Sequence, residues 1–167
     1  YLYELTMNGR SQTGIVGCAS VEDYVHNVIK KHENTRAEKE KDRIRHIDTC
    51  NAQTGPIFLA YHHQALIDAL VEEIKQQMPM YDFVSEDGIG HRCWSVSDEV
   101  QIATLCQAFK DMAAMYIADG HHRAASAVKV GLKRRNEQDT RKISASEYFL
   151  AVAFPDNQLQ ILPYYRV

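Results

Sequence analysis

The stretch Ile117-Ala118-Asp119-Gly120-His121-His122-Arg123 joins an apolar strand to an alanine-rich helix through a glycine turn loaded with polar groups. Met115 to Ala118 reads as a short buried strand and Asp119-Gly120 as the turn. His122 to Lys133 reads as a helix whose Ala124, Ala125, Ala127 and Val128 can pack closely. Unsatisfied N–H groups at such a helix start, together with the positive end of its dipole, favour a phosphate. Gly120 lets backbone approach the ligand, and Arg123 offers a planar fork of donors that matches phosphate oxygens two at a time. Asp-Gly before a helix is also an ordinary turn and cap. Three titratable or cationic side chains after a glycine turn would cost stability if buried without a use, and this favours a ligand that uses them. His121 and His122 are neighbours that point about 100° apart on a helix, so they do not form a one-face metal pair.

Working outward, the pattern is that of an α/β domain with a mixed sheet. Asn8-Gly9 between two alternating runs predicts a tight hairpin from Tyr1 to Val16. Ser20 caps a helix with a stripe of Val21, Tyr24, Val25, Val28 and Ile29, which delivers Lys30-Lys31-His32-Glu33 at its end. Thr35 with Glu38 forms a capping box for a highly charged helix through about Cys50, most of it facing water or a partner. Gly55-Pro56 opens a strand through Tyr61, and Ala65, Leu66, Ala69, Leu70 and Ile74 mark a helix that stops near Met78-Pro79. Tyr81 to Ser85 and His91 to Val96 form a hairpin, and Ser97 caps a helix carrying Val100, Ile102, Ala103, Cys106 and Phe109. Asn136 to Lys142 is expected to be a mobile loop, and Tyr148 to Phe154 pairs with Leu159 to Leu162 across Pro155-Asp156-Asn157. No internal repeat is apparent.

Composition limits the classes available. A chain of 167 residues, 45% of them hydrophobic, can fill one core. A net charge of -3 gives no global attraction to nucleic acid or anionic membrane, so anion binding must be local. No run is long enough to span a bilayer and no secretory signal opens the chain, and the four cysteines read as those of a cytoplasmic protein. Cys18, Cys50, Cys93 and Cys106 lack the paired short spacing of zinc or redox motifs and are expected to be reduced, mostly core residues. The chain opens without methionine on a strand pattern and closes on another, as a fragment of a longer protein would. An apolar face left uncovered by such a cut could drive homodimerisation.

Lys31-His32-Glu33-Asn34-Thr35-Arg36 is the second chemical cluster. It can be a cationic helix end followed by a turn and cap. It can also present Glu33 as a general base, kept ionised by Lys31, His32 and Arg36. Other polar pairs read as structural: His62-His63 begins the next helix, Arg134-Arg135 completes a helix C-terminus, and Trp94 is a core or pocket-wall ring.

The order of these motifs is familiar. His32-Glu33, then Gly55-Pro56-Ile57 opening a strand, then Ile117 to Arg123 opening a helix, resembles the ParB/sulfiredoxin-like superfamily. More closely, Val16-Gly17-Cys18 through Asp48-Thr49-Cys50-Asn51-Ala52-Gln53-Thr54-Gly55-Pro56-Ile57 looks like the prokaryotic domain-of-unknown-function family one-thousand-fifteen, with the likeness running from about Thr6 to Arg166. The resemblance implies a single ParB-like α/β domain over 1–167, with a helix-hairpin-helix region, His62 to Ala114, inserted between motifs that lie close together in simpler members. Members of that superfamily include free-serine kinases, nucleotide-dependent DNA clamps and a cysteine-repair branch. The repair branch carries a cysteine in the turn, where this chain has His121, and the clamps carry an arginine-rich turn with attached DNA-reading helices.

Phosphoryl transfer is what the resemblance then implies: a small-molecule kinase acting on a hydroxyl, with free L-serine the first candidate acceptor and ATP or ADP with Mg2+ the donor. Glu33 would be the base, assisted by His32; Asp119, Gly120, His121, His122 and Arg123 would hold the phosphates, with Asp119 on the metal. Thr54, Gly55 and Arg36 would contact the substrate. A non-catalytic nucleotide-sensing module and a metal-dependent phosphohydrolase using His121 and His122 are the alternatives.

Overall fold

Eight strands form one mixed sheet in the order β3-β7-β4-β8-β2-β1-β6-β5. The computed structural model describes residues 1–33, 37–137 and 144–160. β1 (Leu2–Met7) and β2 (Arg10–Ser20) are the expected hairpin, and Asn8 and Gly9 take the positive φ of 53° and 75° that a two-residue turn demands. β4 (Ile57–Tyr61), the helix α3 (Ala65–Lys75), the hairpin β5 (Tyr81–Val84) to β6 (Gly90–Trp94), and the helix α4 (Glu99–Lys110) also follow the sequence pattern. Asp98, not Ser97, caps α4: its carboxylate accepts from the N–H groups of Val100 and Gln101 at 2.9 Å.

Two elements differ from expectation in a way that shapes the site. α1 (Val21–Val25) is a single turn, capped by Ser20 as predicted, and it stops because Asn27 adopts a left-handed φ of 60°. Val28 and Ile29, read as the end of the helical stripe, instead lead into β3 (Ile29–Lys30), which pairs in parallel with β7 (Met115–Asp119). β7 alternates rather than being buried throughout: Met115 and Ile117 face the core while Tyr116, Ala118 and Asp119 are exposed.

The core lies on one face of the sheet. Alternate residues Ile57, Leu59 and Tyr61 of β4, Phe149, Ala151 and Ala153 of β8 (Tyr148–Pro155), and Met115 and Ile117 of β7 share a cluster. Ile67, Val71 and Ile74 of α3, Leu105 and Ala108 of α4, and Ala124, Ala127 and Val128 of α5 (His121–Glu137) join the same cluster, so the helices form one covering layer. Trp94 is buried there, and its indole donates to the carbonyl of Gln77 at 3.0 Å. The charged helix α2 (Ala37–Cys50) packs along α5 rather than standing free, through Glu40 with Lys129 and Asp48 with Lys133 and Arg134. The Thr35 capping box lies outside the described residues.

Arg134 and Arg135 fall in the last turn of α5, as expected, and also find long-range partners. Arg135 pairs with Glu22 and Glu147, and Arg134 with Asp48 and Asn51, so these arginines tie α5 to its neighbours. The cysteines are free, but Cys18, Cys50 and Cys106 are exposed and Cys93 half-buried, so they are not the mostly core residues expected. After β8 the chain makes a 3-10 turn (Asp156–Gln158), and Leu159 is not in a strand; residues 161 and 162 lie outside the described residues, as do 138–142 of the expected loop, whose first part continues α5. No helix among the described residues is long and apolar enough to cross a membrane.

His62 and His63 do not begin a helix. Both rings donate from Nδ1 to the Asp156 carboxylate, at 2.7 and 3.1 Å, and the His63 N–H adds a third bond at 3.0 Å. These bonds tie together the ends of the parallel strands β4 and β8. They hold the Asp156 carboxyl well below the usual carboxylate range, the His63 N–H first and the His62 ring next. A depressed carboxyl stabilises the fold above its unfolded pKa and loses that contribution as pH falls through the folded one. Asp156→Asn should therefore lower the urea midpoint at pH 6, and the gap to wild type should shrink from about pH 4 downward. An unchanged gap at pH 3 would contradict this.

Candidate phosphate-binding site

The parallel pairing of Ile29 with Met115 and Lys30 with Tyr116 decides how the two chemical clusters meet. The residues that follow β3 run beside those that follow β7, so His32 and Glu33 arrive at the start of α5 although nearly ninety residues separate them. Had α1 continued through Ile29, this register could not form.

Gly120 supplies the turn, with φ of +90°. Its carbonyl accepts from Ala124 N at 2.9 Å, which makes it the first capping position and leaves the N–H groups of His121, His122 and Arg123 without helical acceptors. The helix therefore starts at His121, one residue earlier than predicted. Arg123 folds back over the glycine: a Cβ built at Gly120 would sit 2.9 Å from Nη2 and 3.0 Å from Nε. The guanidinium is held by Asp119 Oδ2 at 2.9 Å. Asp119 and Arg123, expected to hold metal and phosphate, thus hold each other, across an exposed and exchangeable contact.

His121 is buried. Its Nδ1 lies 3.5 Å from Glu33 Oε2, and the His32 ring meets it edge-on at 4.3 Å between centroids. Burial lowers the His121 pKa below the ordinary histidine value; the neighbouring His32 adds to this and Glu33 opposes it. His121 is therefore neutral at pH 7. His122 approaches the same carboxylate, with Nε2 3.9 Å from Glu33 Oε1. Glu33 itself is half exposed, open to a substrate. On the far sides of the two rings, His121 Nε2 and His122 Nδ1 are buried with no hydrogen-bond partner among the described residues, and so is Ser126 Oγ one helical turn further on. Buried polar atoms of this kind ordinarily find partners.

Beside Arg123 a groove of about 290 Å3 opens between α2 and the chain leading into β4. Thr54 and Gly55, the expected substrate contacts, line it together with Arg123. A Cβ at Gly55 would meet Arg123 Nη1 at 3.3 Å. Gln53 fixes this loop to β8, donating to the Tyr148 carbonyl at 2.9 Å and accepting from Leu150 N at 2.7 Å. Asp42, Arg43 and His46 form the α2 wall, and neither they nor Ser126 could be singled out from sequence, where they are four polar residues among many. Arg36 lies outside the described residues. No group of three or more His, Cys, Asp or Glu among the described residues is arranged to hold a metal ion.

No curated protein and no solved structure matches the chain. The model of the family described as Protein of unknown function (DUF1015) matches residues 1–167, and the chain belongs to that family.

Proposed function

We propose that the protein is a small-molecule kinase that transfers a phosphoryl group from ATP or ADP to a hydroxyl, with free L-serine the first candidate acceptor. One observation carries this: an accessible carboxylate, Glu33, stands within 4 Å of both imidazoles at a helix start whose first N–H groups lack helical acceptors. The motif order that resembles the ParB/sulfiredoxin-like superfamily points the same way.

In this mechanism the donor phosphates lie on the N–H groups of His121, His122 and Arg123. Arg123 leaves Asp119 for the phosphate oxygens, and Asp119 becomes available to Mg2+, which would neutralise charge between the donor phosphates. The acceptor hydroxyl gives its proton to Glu33 as its oxygen attacks the terminal phosphorus; the bond from that phosphorus to the bridging oxygen breaks, and the nucleotide leaves shortened by one phosphate. Neutral His121 stands beside Glu33 without adding a positive charge that would pin the carboxylate.

Phosphorus NMR of the protein with Mg2+, L-serine and either ATP or ADP tests this. The expected result is a growing phosphoserine resonance with matching loss of the donor's terminal phosphate. Nucleotide left intact would indicate a sensing module, and release of inorganic phosphate alone would indicate a hydrolase; either outcome overturns the kinase.

A further inference from the structure

The groove beside Arg123 carries a charge arrangement that the phosphate site does not need. Asp42, Arg43 and His46 occupy positions i, i+1 and i+4 of α2 and line the same cavity. α2 docks on α5 through other residues, Glu40 and Asp48. Asp42 and Arg43 make no ion pair or hydrogen bond with any described side chain, although they are opposite charges on adjacent residues. Adjacent helical residues diverge, so the two charges stand apart on the groove wall rather than cancelling each other.

A ligand that carries both an ammonium and a carboxylate matches this pair of opposite charges. Resting on the kinase reading above, we infer that this groove is the acceptor subsite and selects α-amino acids, with Arg43 taking the carboxylate and Asp42 the ammonium. A guanidinium binds a carboxylate with two parallel hydrogen bonds, and a carboxylate accepts from an ammonium as a strong charge-assisted bond. The size agrees: about 290 Å3 is at the bottom of the range of small-ligand pockets, roughly 300–1,000 Å3, and suits an amino acid better than a nucleotide. Arg123 lines the groove and also lies over Gly120 at the helix start, so an acceptor anchored by its α-carbon groups on α2 would present its side-chain hydroxyl toward Arg123. Thr54 lies on the opposite wall, held there because Gln53 is bonded to β8.

Calorimetric titration with three phosphate esters tests the subsite without turnover: O-phospho-L-serine, O-phosphoethanolamine, which lacks the carboxylate, and 3-phosphoglycerate, which lacks the ammonium. Arg43→Gln should weaken phosphoserine and phosphoglycerate by about tenfold to a hundredfold and leave phosphoethanolamine unchanged. Asp42→Asn should weaken phosphoserine and phosphoethanolamine and spare phosphoglycerate. Both residues are exposed, and unaltered thermal unfolding would show that the variants fold. That crossed pattern in a protein that transfers no phosphate would support the subsite and overturn the kinase. Equal affinities in all three proteins, or no binding of phosphoserine by wild type, would overturn the subsite; with phosphoryl transfer to a neutral polyol intact, the kinase would survive that result.

Discussion

Glu33→Gln should lower the rate of phosphoryl transfer by about a hundredfold to ten-thousandfold, the usual contribution of a general base, while nucleotide affinity stays within about twofold. Glutamine has the size of glutamate and can still face the two imidazoles, so the substitution removes the proton acceptor without opening a gap. In the proposed mechanism nucleotide binding depends on the helix start and Arg123, which the change leaves in place. The informative measurement is a single-turnover rate beside an equilibrium titration of the nucleotide. A proportional loss in both would mean that Glu33 shapes the phosphate site through the histidines rather than accepting a proton. A second readout separates these roles. Because Glu33 opposes the lowering of the His121 pKa, its neutralisation should move the His121 titration further down, as seen by histidine NMR. If the titration moves and the rate does not, Glu33 is not the base.

The sequence carried the site's parts better than their assembly. Asp119-Gly120 before an alanine-rich helix, and Asn8-Gly9 between alternating runs, are local signals: backbone that needs positive φ restricts the residues allowed. The path from Val21 to Glu33 is not legible locally because Val21, Tyr24, Val25, Val28 and Ile29 satisfy a helical period, while what decides the structure is Asn27 turning left-handed and Ile29 finding Met115 across the sheet. That pairing spans 86 residues and leaves no trace in the local pattern. The same is true of Asp156, whose partners His62 and His63 lie more than ninety residues away. Exposed cysteines were expected inside because free cysteine is usually buried, a tendency of residue type that no position in this chain had to obey. Arg43 and Asp42 were hidden for the opposite reason: in a helix rich in charges, only the neighbouring loop tells which ones border a groove.

Gly131→Ala should destabilise the protein by about 2 kcal/mol, lowering Tm by roughly 4–8 °C. In an exposed helix the same change would stabilise by about 1 kcal/mol, because alanine is the better helix former. Here the sign reverses, since a Cβ at Gly131 would lie 2.4 Å from the carbonyl oxygen of Ser146 and 3.2 Å from Val21 Cγ2. The obstacle is backbone of the short 3-10 turn (Ala145–Glu147), so it cannot be relieved by a rotamer change. Gly17→Ala is the internal comparison: nothing lies within 4 Å of its Cβ, and its Tm should stay within about a degree of wild type. A wild-type Tm for Gly131→Ala would mean that α5 can lift off this turn freely. The close approach matters beyond stability, because it sets α5 where Arg135 reaches both Glu147 and Glu22. Glu22 sits in the single turn of α1 that leads into β3, and β3 delivers Glu33 to the other end of α5. A helix displaced at Gly131 should therefore also loosen the contact between Glu33 and His121, and the variant should lose part of its activity at temperatures where it remains folded.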